Sequence, residues 1–320
     1  MPPSDAEWLA AAARIAARAR PLSRPNPAVG ALIVRDGVVI GRGWTQPGGR
    51  PHAEAMALRH AGDVSGATIY VTLEPCAHRS ERGPSCAHTI VEKRPARMVI
   101  GVADPDPRTA GKGVEMLRDA GIEAAVTDCA VCRDSLAGYL TRAERGRPFV
   151  TLKLAMSLDG RIALPDGTSR WITGEAARRH VHASRARQDA ILVGGATWRR
   201  DRPRLDVRLP GLEMRSPKRV VLSRKHANGV TTIASPEAIH DLPDIQYLYV
   251  EGGGQTAASF LRSDLVDRLE IYRAPIVIGE GLRAIGDIGL SELADAHGRW
   301  TLMESCHLGS DTFQAYERRR

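Results

Sequence analysis

Two stretches, PHAEAMAL at residues 51–58 and TLEPCAHRSERGPSC at residues 72–86, decide the fold of the first half of the chain. They contain three candidate metal ligands, His52, Cys76 and Cys86. Three protein ligands leave one tetrahedral position for water, which is the pattern of a catalytic zinc site rather than a closed structural one. Two buried thiols beside an unrelated surface histidine are the alternative interpretation.

Two further residues give these ligands a chemical context. Glu54 stands at a predicted loop-to-helix junction, where its carboxylate can shuttle protons. Pro75 suits a helix start, and a helix N-terminus lowers the pKa of a thiol such as Cys76, as metal ligation requires. Zinc lowers the pKa of its bound water to about 7, which makes hydroxide available. His-x-Glu followed by Pro-Cys is typical of zinc nucleobase deaminases, in which the glutamate is the acid/base and not a ligand.

Size and composition favour two domains and no membrane segment. The chain has 320 residues, and a domain usually has about 100–200. No run approaches the about 18 apolar residues of a membrane span. Acidic Asp5 and Glu7 favour an amphipathic first helix over a targeting peptide. Five cysteines without an export signal favour thiols or metal ligands over disulfides, so we expect a cytoplasmic protein.

The net charge of +8 predicts an anionic partner. Arginine supplies most of the 45 cationic side chains, and aromatic residues make up only 4% of the chain. No Lys/Arg block is interleaved with aromatic residues, as nucleic-acid binding would favour. We therefore expect neither nucleic acid nor a membrane as a partner; a basic chain is also compatible with phosphorylated metabolites.

Hydrophobic patterning predicts alternating strands and helices in both halves, and hence sheets covered by helices. Asp36-Gly37 between two apolar runs indicates a hairpin turn. The charged segment 141–148 predicts a boundary that separates domains 1–146 and 147–320. The predicted helices are 5–20, 53–61, 86–93, 111–121, 177–185 and 253–262; the predicted strands are the two in 29–44, then 67–73, 96–102, 149–158, 189–195, 218–223, 245–250 and 268–277.

Glycines and cysteines outside the metal motif leave alternatives open. The turn at 251–254 follows a predicted strand and precedes a helix, which suits a phosphate or cofactor as well as a tight connection. It does not have the GxGxxG pattern of a dinucleotide fold. Cys129 and Cys132 form a CxxC that is either structural or a redox or zinc pair. Cys306 stands alone.

The chain resembles the bifunctional pyrimidine deaminase/reductase family of riboflavin biosynthesis over nearly its whole length. Besides the two metal stretches, the resemblance depends on SRPNPAVGALIVRDGVVIGRGW, ADPDPRTAGKG, TLKLAMSLDGRIA, SRWITG and VEGGGQTAASFL. It implies a cytidine-deaminase-like α/β/α sandwich followed by a dihydrofolate-reductase-like α/β domain. It also implies the cofactors Zn²⁺ and NADPH and a homodimer formed through the reductase domain.

The reaction implied is deamination of 2,5-diamino-6-(5-phosphoribosylamino)pyrimidin-4-one by zinc hydroxide, followed by NADPH reduction of the ribosyl group to ribityl. Glu54 is the catalytic residue, His52, Cys76 and Cys86 are the metal ligands, and Asn26 contacts the pyrimidine. Glu251 is also a candidate general acid by its charge and position. The resemblance further implies substrate contacts at Lys153, Ser169, Arg185, Leu205, Arg208 and Glu251, and cofactor contacts at Ala155, Trp171, Thr197, Asp201, Ser223, Gly253 and Gly254.

Three other functions remain open from the sequence. A nucleic-acid-editing deaminase would share the ligand motif, but such enzymes usually have PCxxC and not the ten-residue spacing seen here. A zinc-stabilised binding protein without catalysis would not need Glu54. A deaminase with a degenerate reductase is possible because Asp201-Arg202-Pro203 and Ser223-Arg224 depart from the family's Asp-Asp-Pro and Asp-Ser.

Overall fold

The computed structural model describes residues 3–78 and 83–320, so the middle of the loop between Cys76 and Cys86 lies outside the described residues. The chain divides into two compact units, residues 1–146 and 147–320. Neither described range contains a helix that is long and apolar enough to cross a membrane.

The first unit is a five-stranded sheet in the order β2-β1-β3-β4-β5, with β1 antiparallel to β2 and β3 and with β3, β4 and β5 parallel. Its elements are α1 Asp5–Ala16, β1 Gly30–Arg35, β2 Val38–Trp44, α2 Ala53–Ala61, β3 Thr68–Val71, α3 Cys86–Lys93, β4 Arg97–Ile100, α4 Lys112–Asp119, β5 Glu123–Val126, α5 Ala130–Ser135 and α6 Ala137–Arg145. Asp36 and Gly37 join β1 to β2, and both have the positive φ that a two-residue hairpin turn requires.

Glycines let helices α1 and α2 pack closely on opposite faces of this sheet. A Cβ on Gly30 would lie 2.1 Å from the carbonyl oxygen of Ala12 in α1, and one on Gly43 would lie 2.1 Å from that of Ala53 in α2. Gly43 pairs with Ala31, the neighbour of Gly30, and successive residues of a strand face opposite sides. The unit is therefore the predicted α/β/α sandwich.

The second unit is an eight-stranded sheet in the order β10-β9-β8-β11-β6-β12-β15-β14, parallel except for the pairs β12/β15 and β15/β14. Its elements are β6 Phe149–Met156, β7 Arg161–Ala163, α7 Glu175–Arg185, β8 Ala190–Gly194, α8 Gly195–Asp201, β9 Lys218–Leu222, β10 Thr231–Ile233, β11 Tyr247–Val250, α9 Gly254–Arg262, β12 Arg268–Arg273, β13 Leu282–Arg283, β14 Trp300–Leu308 and β15 Asp311–Arg318. Strands β7 and β13 pair separately.

Alternating side chains of the central strands pack into two cores, one on each face of the large sheet. In β8, Ala190 and Leu192 belong to one core, and Ile191 and Val193 belong to the other. All four are fully or almost fully buried. Because both faces are covered, the strand has a continuous apolar sequence instead of an alternating one.

Candidate active sites

The three predicted metal ligands meet where two helices of the first unit begin. His52 is the N-cap residue of α2, and Cys86 is the first residue of α3. Ser85 caps α3 by accepting a hydrogen bond from the amide of His88 at 3.2 Å. Cys76 lies in the loop after β3, and its sulfur accepts a hydrogen bond from the Cys86 amide at 3.3 Å. Helix termini therefore fix two of the three ligands.

The distances between the ligand atoms fit a zinc ion. His52 Nδ1 lies 3.6 Å from Cys76 Sγ and 3.3 Å from Cys86 Sγ, and the three atoms lie within 4.8 Å of one another. Zinc–nitrogen and zinc–sulfur bond lengths at tetrahedral angles place such atoms about 3.5 Å apart. Among the described residues, this is the one group of three or more His, Cys, Asp or Glu side chains close enough to share a metal ion.

The electrostatics of the site favour a metal-binding thiolate. Hydrogen bonding from Cys86 lowers the pKa of Cys76 to about 4, and His52 adds to the effect. Burial alone would lower the pKa of His52, but its hydrogen bond to Cys76 and the nearby Glu54 carboxylate raise it instead. Since thiolate is the form that binds zinc, the chain presents at least one ligand in its metal-binding state.

Glu54 is buried in the first turn of α2, beside the ligands and not among them. Its side chain lines a cavity of about 270 Å³ together with His52 and Cys86. Burial raises the pKa of this carboxyl group, and the imidazole of His52 partly opposes the rise. A buried carboxyl group that faces a cavity can hold a proton and pass it to a bound molecule.

Asn26 packs against the side of His52 away from the thiols. Its amide nitrogen lies 3.3 Å from His52 Nε2 and donates to the carbonyl oxygen of Gly49 at 3.3 Å. A Cβ on Gly49 would lie 2.5 Å from the amide carbon of Asn26, so this close approach requires glycine at that position. Asn26 therefore orients the imidazole ring that presents Nδ1 to the thiols.

Glu74 is a buried residue that the sequence analysis did not single out. Its two carboxylate oxygens accept hydrogen bonds from the backbone amides of Asp104, Gly111, Gly113 and Val114 at 3.0–3.3 Å. It thereby fastens the segment 104–114 to the loop that carries Cys76. The sequence signal that could have indicated this role was the position of Glu74, two residues before the metal ligand Cys76.

The second unit contains a crevice of about 1130 Å³ at the carboxyl ends of its parallel strands. Such crevices are where open α/β sheets bind their ligands. Leu205 does not line it, because the side chain is buried in one of the cores. The predicted contacts that line it are Lys153, Ala155, Ser169, Trp171, Arg185, Thr197, Asp201, Arg208, Ser223, Glu251, Gly253 and Gly254.

Glu251 organises the cationic side of this crevice. Arg185 donates to both of its carboxylate oxygens, at 2.6 and 3.0 Å, and the ammonium of Lys153 lies 3.5 Å away. Burial alone would raise the pKa of Glu251, but the two cations outweigh it and lower the pKa to about 2. Its two cationic partners therefore favour the ionised form of Glu251, which does not suit the role of general acid that its charge and position had indicated.

The glycine turns beside the crevice are both tight connections and parts of its wall. A Cβ on Gly194 would lie 2.4 Å from Thr256 Oγ1, and one on Gly254 would lie 2.4 Å from the carbonyl oxygen of Arg283. Gly253 is the N-cap of α9, whose N-terminus faces the crevice. Free amides at a helix N-terminus favour phosphate.

Comparisons with known proteins agree with this geometry. A model of the cytidine and deoxycytidylate deaminase zinc-binding region matches residues 2–102, and a model of the RibD C-terminal domain matches residues 148–313. The riboflavin biosynthesis protein RibD of Aquifex aeolicus is 35% identical, with 91% of this chain and 92% of that protein covered. RibD of Haemophilus influenzae is 36% identical, with 98% and 97% covered. The chain belongs to the RibD family.

Solved RibD structures show the same two-domain fold. A diaminohydroxyphosphoribosylaminopyrimidine deaminase/5-amino-6-(5-phosphoribosylamino)uracil reductase of Thermotoga maritima superposes with a TM-score of 0.88 at 31% identity, covering 98% of both chains. RibD of Acinetobacter baumannii gives 0.86 at 33% identity, covering 99% of both. The predicted family and fold class are therefore confirmed.

Membership of the RibD family also confirms the predicted chemistry. The chain is a bifunctional enzyme of riboflavin biosynthesis, a deaminase and a reductase that act on a small molecule, and its cofactors are Zn²⁺ and NADPH. The alternative of a binding protein without catalysis does not agree with these relatives.

The remaining cysteines of this RibD chain, Cys129, Cys132 and Cys306, pack against the cores of their units. Cys132 is fully buried, and a Cβ on Gly101 would lie 2.5 Å from its sulfur. Cys306 is half-buried in β14 against one core of the second unit. Among the described residues, none of these cysteines belongs to the metal cluster.

Proposed function

We propose that the first unit deaminates 2,5-diamino-6-(5-phosphoribosylamino)pyrimidin-4-one and that the second reduces the resulting 5-amino-6-(5-phosphoribosylamino)uracil at its ribosyl group. The Thermotoga maritima relative is named for both activities. The observation that carries the proposal is the His52, Cys76 and Cys86 cluster with the buried Glu54 beside it. The assigned domains are 1–146 for the deaminase and 147–320 for the reductase.

In the deaminase, His52, Cys76 and Cys86 hold the metal, which when bound supplies a water molecule whose pKa is lowered to about 7. Glu54 would move two protons: its carboxylate would accept one from that water and pass it to the ring nitrogen, and it would then accept the second from the hydroxyl group added to the ring carbon and pass it to the departing amino group, which leaves as ammonia. Asn26 contacts the pyrimidine through the edge of its amide that His52 leaves free.

In the reductase, NADPH supplies the hydride that opens the ribosyl ring to a ribityl chain. The residues of the chain bind and orient the two molecules. Glu251 holds Lys153 and Arg185 in place, and these cations face the ribose phosphate. The proposed substrate contacts are Lys153, Ser169, Arg185, Arg208 and Glu251; the proposed cofactor contacts are Ala155, Trp171, Thr197, Asp201, Ser223, Gly253 and Gly254.

The partners and location of the chain follow from the same proposal. Its partner is a phosphorylated metabolite and not a nucleic acid, because the basic side chains of the crevice already suit a phosphate ester. The enzyme acts in the cytoplasm as a homodimer formed through the reductase unit.

An anaerobic assay with the diamino substrate and NADPH tests the proposal, with ammonia and NADPH followed separately. Both ammonia release and NADPH oxidation are expected. When the aminouracil ribotide replaces the diamino substrate, NADPH oxidation is expected without ammonia release. Ammonia without NADPH oxidation would leave a deaminase with an inactive reductase. Deamination of an RNA substrate, without turnover of the diamino substrate, would support the nucleic-acid-editing deaminase instead.

A further inference from the structure

Residues 202–208, which end at the crevice-lining Arg208, form neither helix nor strand. The buried side chains of Leu205 and Val207 anchor this segment, whereas Arg208 is exposed. Backbone groups outside regular structure have to find their hydrogen bonds elsewhere. The position of the Arg208 side chain therefore depends on what holds the backbone of residues 206–208.

Two side chains of α7 hold this backbone. The Arg208 amide donates to His182 Nδ1 at 3.2 Å, and Arg185 donates to the carbonyl oxygen of Asp206 at 3.1 Å. His182 and Arg185 are three residues apart, so they lie on the same face of the helix, and both line the crevice. Helix α7 therefore binds the segment at two points on the crevice wall.

The bond to Arg208 selects one protonation state of His182. A backbone amide only donates, so Nδ1 has to accept and the proton of the neutral ring is on Nε2. A protonated ring has no acceptor and would lose this bond. Burial lowers the pKa of His182, and the cations of Arg185 and Arg208 lower it further, partly opposed by Glu251. The crevice therefore favours the form of His182 that can hold the segment.

Arg208 is the side chain whose direction depends on this hold. Its Nε lies 3.5 Å from a carboxylate oxygen of Asp206, which leaves the two terminal nitrogens for another anion. Because 58% of the side chain is exposed, packing alone does not fix its direction. The backbone bond to His182 therefore fixes the point from which the guanidinium reaches into the crevice.

We propose that His182 is a positioning residue of the reductase, which holds the Arg208 backbone so that the guanidinium meets the phosphate of the ribotide substrate. This inference rests on the proposed function, in which the crevice binds that phosphate. Because His182 acts through Arg208, its loss should weaken substrate binding and leave NADPH binding and the hydride step unchanged.

Two substitutions separate the hydrogen bond of His182 from its packing. His182→Phe keeps a ring but has no acceptor, whereas His182→Asn loses the ring and keeps an acceptor, Oδ1, at the same distance along the side chain. In the full chain, His182→Phe is expected to raise the KM for the aminouracil ribotide about tenfold, because the Arg208 amide loses its acceptor. The kcat and the KM for NADPH should not change. His182→Asn should stay within about threefold of wild type.

Calorimetric titration without NADPH measures binding without turnover. The first unit is the same in every variant, so differences between variants report on the second unit. His182→Phe should bind the ribotide about tenfold more weakly than wild type, and the riboside, which lacks only the phosphate, equally tightly. In an Arg208→Ala background, His182→Phe should cause no further loss, because His182 acts through Arg208.

His297→Phe is the matched control, because His297 is exposed in the same unit and does not line the crevice. It should change neither the KM nor the binding. Equal losses in His182→Phe and His182→Asn would assign His182 to packing and overturn the inference. Unchanged ribotide binding in His182→Phe, or a further loss in the Arg208→Ala background, would overturn it too. The expected binding pattern without NADPH oxidation by wild type would sustain the inference while contradicting the proposed reductase activity.

Discussion

At the residue scale, Glu251 joins Arg185 and Lys153 in one buried ion cluster. Its pKa of about 2 lies below the ordinary value of 4.5, so the folded state favours the carboxylate. The cluster therefore stabilises the fold fully above pH 4.5 and loses this contribution as the pH falls from 4.5 toward 2. Glu251→Gln should lower the free energy of unfolding of the second unit by about 3 kcal/mol at pH 7 and by much less at pH 3.

Urea unfolding at both pH values measures this difference. Glu213→Gln is the control, since Glu213 is exposed in the same unit. A loss that is equally large at pH 3 and pH 7 would show that Glu251 stabilises the fold through packing and not through its charge.

Local sequence patterns predicted the metal site better than the crevice. His52, Glu54 and Cys86 lie at helix starts, and a helix start is readable from neighbouring residues. The role of Glu74 was not predicted, and the burial of Leu205 was not foreseen when Leu205 was predicted as a substrate contact, because both depend on distant partners. Glu74 accepts from amides 30–40 residues further along the chain, and Leu205 is buried among side chains of several strands.

At the element scale, Glu74 joins the metal loop to the start of α4. Glu74→Gln keeps the shape but turns an amide group toward four backbone donors, so at least one buried donor loses its acceptor. We expect the free energy of unfolding of the first unit to fall by about 2–3 kcal/mol. Zinc affinity should fall with it, because Cys76 lies on the loop that Glu74 holds.

Glu115→Gln in α4 is the matched control, since Glu115 is exposed and the charge change is identical. Thermal unfolding and competition with a coloured chelator give the two readouts. Unchanged stability and zinc affinity in Glu74→Gln would show that the four hydrogen bonds do not hold the loop.

The sequence analysis predicted most of the helices and strands but placed their ends less accurately. Helix α1 ends at Ala16 rather than at residue 20, and turns follow in a stretch that contains Pro21 and Pro25. Strand β12 ends at Arg273 rather than at residue 277, shortly before Pro275. The hairpin of β14 and β15 was missed, although the alternation of apolar Phe313 and Ala315 with polar Thr312 and Gln314 was a signal for it.

At the scale of the whole molecule, each unit has its own core and its own cofactor. Calorimetry should therefore resolve two unfolding transitions. Removal of zinc with a chelator should lower one of them by about 5 °C or more, because the metal binds only the folded unit. Saturating NADPH should raise the other.

A variant with an impaired metal site, Cys86→Ser, provides the control. In this variant, the unfolding transition of the first unit should no longer respond to the chelator, whereas the transition of the second unit should still respond to NADPH. A single transition that shifts with both ligands would show that the two units unfold as one.

The account depends most on the role of Glu54 as a proton carrier beside the metal and not as a metal ligand. Glu54→Gln, with zinc content and ammonia release measured on the same preparation, tests this most directly. We expect wild-type zinc content, ammonia release lower by about 10²–10⁴-fold, and unchanged NADPH oxidation with the aminouracil ribotide. Loss of zinc from this variant, or ammonia release at the wild-type rate, would contradict the account.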